Sequence, residues 1–358
     1  MSRIRSQVRI VGAGLLGTSI GLALSKLGID VAITSASKAS AALAIDMGAG
    51  RAVTDHDDPG LIVVCVPPDI TAEVVSRELA AFESAVVTDV ASVKGSVIEG
   101  LRELSADLTR FVGSHPMAGR ERGGAASGRA DLFVGRPWVV VATDESTEAA
   151  KQLVRDLAAD LEALEINMPA DEHDRAVALV SHVPQLISSL LAAQLTDAEA
   201  QDLSLAGQGL RDTTRIAASD PKLWLQIFRA NSAQILPLLK GFSVDLAQVV
   251  NALENLNESG SLKALSAAMH SGNDGVARIP GKHGGNAKQY TLVTVMIDDR
   301  PGQLAKLLTE VGEIGINLED LKLEHSPGAP IGLVELYVLP VSEQKLVSDL
   351  SKLGWRIL

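Results

Sequence analysis

The stretch QVRIVGAGLLGTSIGLALSKLGIDVAIT, residues 7–34, decides the fold of the first part of the chain. The apolar, β-branched run at its start predicts a buried strand, and the glycines that follow predict a tight turn. The apolar segment to about Leu27 predicts a helix, and Ile29 to Thr34 predict a second strand. The stretch therefore forms one βαβ unit.

Three glycines lie where the first strand meets the helix, with the spacing G-x-G-x-x-G. The first permits the turn, the second lets a pyrophosphate approach the backbone, and the third lets helix and strand pack closely. The helix N-terminus then faces the phosphates. We predict a dinucleotide site here, with a purely structural glycine turn as the alternative. The predicted cofactor-binding residues are Gly12, Gly14, Leu15, Leu16 and Gly17, together with Val66 after a later strand.

The end of the second strand indicates which dinucleotide binds. An NAD site usually offers an acid to the ribose about here, but the stretch TSASKAS, residues 34–40, is followed by no acid until Asp46. Ser35, Ser37 and Lys38 could instead receive a 2′-phosphate. We therefore favour NADP, and NAD remains the alternative.

Further strands of parallel type are predicted at LIVVCVPP (61–68), AVVTDV (85–90), RFVGS (110–114) and PWVVVAT (137–143), with helices between several of them. This alternation predicts a doubly wound α/β domain of the Rossmann type over residues 1–168. Its ligand should lie at the carboxyl ends of the strands.

The segment GSHPMAG, residues 113–119, places a histidine directly after one of these strands, in a loop fixed by Gly113 and Pro116. A histidine at that edge of a dinucleotide domain can exchange a proton near neutral pH. We predict that His115 is catalytic, and a structural role is the alternative.

Residues 169–270 are predicted to form an all-helical domain. The segments 172–195 and 221–256 are too apolar for solvent-exposed helices, which favours burial against a partner subunit. The uncharged segment from Ala176 to Thr196 contains polar residues that are costly in lipid, so we interpret it as a buried core helix and not a membrane span.

The last part of the chain is predicted to form a separate small domain. Residues 271–288 are rich in glycine and charge and are interpreted as a linker. Residues 289–358 predict a βαββαβ module, a small α+β domain whose first helix begins near Pro301.

The composition excludes some classes of function. The net charge is −12 and the pI about 5.1, with no run of lysines and arginines, which argues against a nucleic-acid partner. The single cysteine, Cys65, permits no intrachain disulfide, which fits a reducing cytoplasm. No metal site is expected, because the remaining histidines lack the paired spacing of a zinc cluster. They are His56, His173, His182, His270, His283 and His325.

Five motifs in order resemble bacterial prephenate dehydrogenases, a family that includes arogenate dehydrogenases. They are GAGLLG, TDVASVKG, GSHPMAGRE, SHVPQ and RDTTRIAASDPKLW, within residues 7 to about 270. The resemblance implies oxidative decarboxylation of prephenate with NAD(P) and a homodimer formed through the helical domain. The alternatives are an arogenate dehydrogenase, a dehydrogenase for another hydroxy acid, and a non-catalytic regulator that senses nucleotide and amino acid.

The resemblance also implies roles for individual residues. His115 would bond the ring hydroxyl of the substrate, Ser92 would lie near substrate and nicotinamide, and Arg215 would bind a substrate carboxylate. A surface ion pair with Asp212 or Asp220 is the alternative for Arg215. The other predicted substrate residues are Ser181 and His182 of the pocket lining, Glu121 and Asp212 of a gate at the mouth, Gln185, and Arg120.

Two positions depart from the family pattern. Many prephenate-specific members have a histidine where this chain has Gln185, which leaves prephenate and arogenate both open. Arg120 stands where many members carry serine or threonine, and adds a cation near the mouth.

The C-terminal module has a resemblance of its own. DRPGQLAKLL and GINLEDL resemble the ACT domain, a regulatory module that binds amino acids. The resemblance implies tyrosine as a possible effector, bound where two modules pair. A purely structural or dimerising module is the alternative.

Overall fold

The computed structural model describes residues 2–119, 123–280, 290–325 and 330–358. The chain divides into two compact units. The first consists of Met1–Thr196 and Thr214–Gly241, and the second of Asp197–Thr213 and Phe242–Leu358. The predicted helical domain is therefore shared between the two units, and its boundaries stay a prediction.

A five-stranded parallel sheet is the centre of the first unit. Its strands are β1 (Val8–Val11), β2 (Val31–Thr34), β3 (Arg51–Ala52), β4 (Leu61–Val64) and β5 (Val86–Asp89), in the order β3-β2-β1-β4-β5. Because the order reverses beside β1, a crevice opens at the carboxyl ends of β1 and β4.

Helices cover both faces of this sheet, as the apolar strands require. They are α1 (Leu15–Lys26), α2 (Lys38–Asp46), α3 (Pro68–Ala81), α4 (Gly95–Glu103) and α5 (Glu148–Asp160). Ile20 of α1 and Ala44 of α2 pack with one face of the sheet, whereas Val75 of α3 and Leu101 of α4 pack with the other. The Rossmann-like, doubly wound architecture is confirmed.

A second sheet of three strands corrects the prediction that all later strands are parallel. It contains β6 (Val112–Pro116), β7 (Pro137–Ala142) and β8 (Leu164–Asn167), and β6 runs antiparallel to β7. The described part of the connection from β6 to β7 contains only a short 3₁₀ turn at Ala125–Ser127. A parallel pair usually needs a longer crossover such as a helix, so the chain turns back on itself.

A long helical run of the first unit carries residues predicted to bind substrate. A continuous helical run consists of α6 (Ala170–Val177), a π-helical turn (Ala178–His182) and α7 (Val183–Ala193). The run is long and apolar enough to cross a membrane, but His173, Asp174 and Gln185 are buried polar residues on it. Its interpretation as a buried core helix is wrong for the single chain, because Leu179, Val180 and Leu190 are each at least 60% exposed.

Shorter and longer helices complete the middle of the chain. They are α8 (Ala200–Leu203), α9 (Gln208–Thr214), α10 (Pro221–Ala230), α11 (Ser232–Glu254) and α12 (Ser261–Ala277). The linker prediction is wrong for residues 271–277, since α12 continues through them. Gly272 and Gly275 lie in that helix with open space around them, so a side chain at either position would contact no neighbour among the described residues and its absence loses no packing contact. Residues 281–288 of the predicted linker lie outside the described residues.

The C-terminal part of the second unit forms the small α+β domain that was predicted. Its elements are β9 (Thr291–Asp298), α13 (Gln303–Ile314), β10 (Asp320–His325), β11 (Ile331–Val338), α14 (Pro340–Lys352) and β12 (Arg356–Ile357). The antiparallel sheet has the order β10-β11-β9-β12, and alternate residues of β9 and β11 pack against Leu307 and Leu346 of the two helices. The βαββαβ order is present, and its assignment as an ACT domain stays a prediction.

Candidate active site

The glycine turn between β1 and α1 is closely packed at two of its three positions. Gly12 has a φ of +114°, and a Cβ there would lie 2.2 Å from the carbonyl oxygen of Cys65. A Cβ at Gly17 would lie 1.9 Å from the oxygen of Gly12. Around Gly14, by contrast, none of the described atoms comes within 4 Å of such a Cβ. The backbone is thus open at the one glycine that a pyrophosphate must approach.

The first turn of α1 offers hydrogen-bond donors on the same side. Gly14 is its N-cap, and among the described residues no side chain caps the helix. The first N–H groups of a helix lack partners within it and favour an anion. These features fit a dinucleotide, whose pyrophosphate would be held by the backbone at Gly14, Leu15 and Leu16.

A cavity of about 630 Å³ lies at the carboxyl ends of β1 and β4. Six of the predicted cofactor and catalytic residues line it: Gly14, Leu15, Leu16, Val66, Ser92 and His115. The cavity is the crevice in which ligands of open α/β sheets bind.

The residues predicted to receive a 2′-phosphate follow β2. The backbone N–H of Gly12 donates to the carbonyl of Thr34 (2.8 Å), so this segment lies next to the glycine turn. Ser37 caps α2 by accepting a hydrogen bond from the N–H of Ser40 (3.2 Å). Ser35 is half-buried and Lys38 is exposed. Their role in cofactor choice stays a prediction.

His115 lies inside a strand, which corrects its placement in a loop. β6 continues to Pro116, and His115 is paired with Val139 of β7. The proline does not break the pairing, because the next N–H, that of Met117, still donates to the carbonyl oxygen of Pro137 in β7 (2.8 Å). The imidazole is therefore held by a regular antiparallel pair at one wall of the cavity.

His115 is hydrogen-bonded to a second histidine that the sequence did not single out. Its Nδ1 lies 2.9 Å from Nε2 of His173, whose Nδ1 lies 2.8 Å from Oδ1 of Asp174. Asp174 also accepts hydrogen bonds from the N–H groups of Lys94 and Gly95, both at 2.8 Å. The chain thus joins β6, α6 and the start of α4. Among the described residues no group of three or more histidine, cysteine, aspartate or glutamate side chains could hold a metal ion.

Burial keeps His115 in its neutral form. Loss of hydration, together with the nearby His173, Lys94 and His182, holds the pKa of His115 well below its ordinary value. A neutral imidazole can accept a proton at neutral pH.

A buried ion pair lies beneath this strand. Lys94 donates from Nζ to Asp89 and to the carbonyl oxygen of Ser114 (2.7 Å), and both ionic side chains are almost fully buried. Burial lowers the pKa of Lys94, and the carboxylate of Asp89 opposes that effect. The pair fixes the backbone of β6 one residue before His115.

A second cavity of about 350 Å³ adjoins the first, since both are lined by Gly119, Ser219 and Trp224. It also contains Ser181, Gln185 and Arg215, three of the residues predicted to bind substrate. The structure therefore places Arg215 and His115 in adjoining cavities of one unit.

His182 lies outside the lining of both cavities, contrary to its prediction as a pocket residue. Its Nδ1 lies 3.1 Å from Nδ2 of Asn231, which also donates to the carbonyl of Asp174 (2.8 Å). Its ring packs edge-on against Trp224. Burial lowers the pKa of His182 to about 4. On a helix, neighbouring residues point in different directions, so Ser181 and His182 cannot both face the cavity.

Three predicted substrate residues stay predictions. Arg120 and Glu121 lie outside the described residues. Asp212 belongs to the second unit, in which its carboxylate accepts a hydrogen bond from Nε2 of Gln208 (2.8 Å).

Comparison with known proteins decides the family. Residues 20–166 match the family model described as "Prephenate dehydrogenase, nucleotide-binding domain", and residues 169–269 match "Prephenate dehydrogenase, dimerization domain". The chain belongs to the prephenate dehydrogenase family. The resemblance based on the motifs is confirmed, and with it an NAD(P)-dependent oxidoreductase.

Individual relatives agree with this membership. The chain is 34% identical over 353 residues to a Streptomyces niveus protein described as "Probable prephenate dehydrogenase NovF", covering 97% of this chain and 98% of that one. It is 24% identical over 336 residues to prephenate dehydrogenase of Bacillus subtilis, covering 90% of this chain and 89% of that one.

A solved structure gives the same result. The crystal structure of prephenate dehydrogenase from A. aeolicus in complex with hydroxyphenyl propionate and NAD⁺ has a TM-score of 0.66 and 26% identity, covering 76% of this chain and 99% of that one. The Rossmann domain, the nicotinamide cofactor and a small-molecule substrate are thereby supported, and the dimerization domain supports a dimer.

Proposed function

We propose that this chain oxidises prephenate with NAD(P)⁺, releasing carbon dioxide and 4-hydroxyphenylpyruvate. One observation carries the proposal. A half-buried, neutral His115 lines the same cavity as the open backbone of the cofactor turn, and Arg215 lies in the adjoining cavity. A proton acceptor, a dinucleotide site and a carboxylate receptor are the parts that this reaction needs.

Each of these side chains has a defined task in the reaction. His115 accepts the proton of the ring hydroxyl as its carbon gains carbonyl character, which stabilises the transition state more than the ground state. Arg215 presents a planar fork that matches a carboxylate and orients the substrate. A nicotinamide bound at the glycine turn would supply the hydride acceptor. Loss of carbon dioxide makes the ring aromatic, so the protein mainly has to position the substrate.

The choice between prephenate and arogenate depends on the cavity that contains Gln185. This side chain is buried and neutral, its Nε2 donates to Oγ of Ser189 (3.3 Å), and its Oε1 accepts from Oγ of Ser219 (3.5 Å). A neutral amide neither attracts the keto acid side chain by charge nor repels the ammonium group of arogenate. Prephenate is the first choice because of the family, and arogenate is the alternative.

NADP is the preferred cofactor of the proposal. The stretch after β2 offers the hydroxyl of Ser35 and the ammonium of Lys38 beside the glycine turn, and both groups suit a phosphate. Ser37 is already engaged at the start of α2 and contributes less.

The small C-terminal domain is proposed to bind tyrosine as an ACT domain and to inhibit the enzyme. Its βαββαβ order and the DRPG turn before α13 support this assignment. A cavity of about 170 Å³ in the domain is lined by the cationic Lys306 and Arg356 and by the anionic Asp298. Groups of both signs suit the two charged ends of an amino acid.

The cytoplasm is the proposed compartment. The thiol of Cys65 is free and lies beside the cofactor turn. A reducing compartment that supplies nicotinamide cofactors fits such a protein.

Initial rates of nicotinamide reduction test the proposal. Prephenate and arogenate are each combined with NAD⁺ and NADP⁺, with and without tyrosine, and the organic product is identified. We expect turnover with prephenate and NADP⁺, and a lower rate when tyrosine is present. Absence of turnover in every combination, from protein that still binds cofactor, would overturn the proposal and favour the regulator.

A further inference from the structure

Behind His115 two buried side chains form a hydrogen-bonded chain that ends at the N-terminus of α4. His173 is fully buried, and Asp174 is 6% exposed. We propose that His173 and Asp174 are positioning residues that fix which ring nitrogen of His115 receives the proton of the substrate. The inference rests on the proposed function, in which His115 is the base.

The carboxylate at the end of the chain determines where the first proton lies. Asp174 accepts from two backbone N–H groups, and these have no alternative but to donate. Burial raises the pKa of Asp174, but the hydrogen bonds from His173, Lys94 and Gly95 outweigh it and keep the carboxyl ionised. An ionised carboxylate only accepts, so Nδ1 of His173 carries a hydrogen.

The tautomer of His173 then determines the tautomer of His115. A His173 ring that carries only this hydrogen, on Nδ1, has a lone pair on Nε2. Nδ1 of His115, 2.9 Å away, must therefore be the donor in their hydrogen bond. The remaining nitrogen of His115, Nε2, is left as the acceptor. The carboxylate thus selects the nitrogen that can take the substrate proton, although it does not touch His115.

The same chain stabilises the charge that the reaction creates. When Nε2 of His115 takes the hydroxyl proton, the ring becomes a cation in a half-buried position. Its Nδ1–H donates to His173, which in turn donates to the negative Asp174. Of the other charged or titratable groups that face this site, Lys94 and His182 disfavour the cation, whereas Asp89 neutralises Lys94. Asp174 therefore supplies a negative charge through a directed hydrogen-bond chain.

Two variants and a matched control test the inference. Asp174→Asn removes the charge and keeps the shape, and His173→Asn interrupts the chain. Asp171→Asn makes the same chemical change on the exposed side of α6, one turn earlier. Thermal unfolding and cofactor binding are measured for all three, so that a change in the fold is recognised.

The first readout needs no turnover. The two ring nitrogens of a neutral histidine differ in their ¹⁵N shifts, and His115→Asn identifies the signals of His115. We expect the Nδ1–H tautomer of His115 in the wild type and in Asp171→Asn, and a gain of the Nε2–H tautomer in Asp174→Asn. A wild-type His115 in the Nε2–H form would overturn the inference whether or not the chain oxidises prephenate.

The second readout is the pH dependence of kcat. We expect kcat to fall by about a hundredfold or more in both variants, while KM and cofactor affinity stay close to wild type. Without an oriented base the reaction depends on ionisation of the substrate hydroxyl itself, so kcat of the variants should rise about tenfold for each pH unit, whereas the wild type is flat above neutral pH.

Different outcomes separate the inference from the function on which it rests. If the wild type turns over and both variants keep its kcat, the positioning role is wrong. A fall in kcat without the rise at high pH, accompanied by a lower melting temperature, would show a structural role only. A wild type without turnover contradicts the proposed function, and the tautomer measurement then still decides this inference.

Discussion

At the scale of single residues, the site depends on histidines that the fold keeps neutral. Loss of hydration and the positive groups around it lower the pKa of His115 and keep the ring neutral. Burial beside Trp224 has the same effect on the pKa of His182. Transfer of a charged imidazole into the interior is unfavourable unless a carboxylate contacts it directly. A neutral His115 suits the proposed role of a base, and the neutral histidines also make the stability of the fold depend on pH.

This dependence can be predicted with its sign. His115 and His182 have a lower pKa in the folded chain than the value of about 6.5 in an unfolded one. Below that value the unfolded chain binds more protons, so the free energy of unfolding decreases as the pH falls towards 4. We expect a loss of roughly 1.4 kcal/mol for each pH unit and each histidine. Above about pH 6.5 these histidines are neutral in the unfolded chain as well, so the free energy of unfolding no longer changes on their account.

Urea unfolding at several pH values between 7.5 and 4.5 checks the prediction. His182→Gln removes one of the two groups and should make the decrease less steep. Equal stability of the wild type at pH 7.5 and pH 5 would contradict the neutral, buried histidines.

Only part of the site is predictable from the sequence at this scale. His115 was recognisable because its motif lies at the end of a strand in a dinucleotide domain. His173 is 58 residues further along and contacts it only through the packing of α6 on the sheet. The segment EHD at 172–174 shows a histidine beside an acid, but nothing in the sequence indicates that His173 faces His115. His182 was misplaced for the same reason, because its direction on the helix depends on the π-helical turn that ends at it.

At the scale of elements, the βαβ unit was predictable because its signals are local. An apolar strand, three glycines at fixed spacing and an apolar helix are all visible within residues 7–34. The direction of β6 was not predictable, because an antiparallel pairing depends on the path of the connection to β7. The end of α12 was missed because glycines that mark a loop in isolation are tolerated in a helix with open surroundings.

The glycine turn gives a prediction in which stability and cofactor binding separate. Gly14→Ala adds a methyl group where the described atoms leave space, so the fold should keep its melting temperature, but the methyl group should obstruct the pyrophosphate. Gly17→Ala places the same group against the oxygen of Gly12 and should destabilise the fold by about 1–3 kcal/mol or more.

Thermal unfolding and a titration with NADP⁺ distinguish the two glycine variants, and each serves as the control of the other. Loss of stability in Gly14→Ala together with unchanged cofactor affinity would show that the turn has no part in binding.

At the scale of the whole molecule, the helical region has an apolar surface that the single chain leaves exposed. Leu190 of α7 is 60% exposed, and Leu179 and Val180 on the same run are exposed to a similar degree. These residues belong to the part that matches the dimerization domain. Exposed apolar area of this kind is typical of a surface that is covered in a dimer.

A charge on this surface should therefore prevent association. Leu190→Asp is expected to shift the protein from dimer to monomer in size-exclusion chromatography with light scattering. Val341→Asp is the matched control, because Val341 is 86% exposed but lies on α14, outside the dimerization domain. A dimer that persists in Leu190→Asp, at the same concentration, would place the interface elsewhere.

The replacement of His115 tests its proposed role as the base of a dehydrogenase. The turnover of prephenate and the affinity for NADP⁺ are measured for the wild type and for His115→Asn. We expect turnover by the wild type and a fall in kcat of roughly a hundredfold to ten-thousandfold in the variant, with unchanged cofactor affinity. Undiminished turnover in His115→Asn would contradict it.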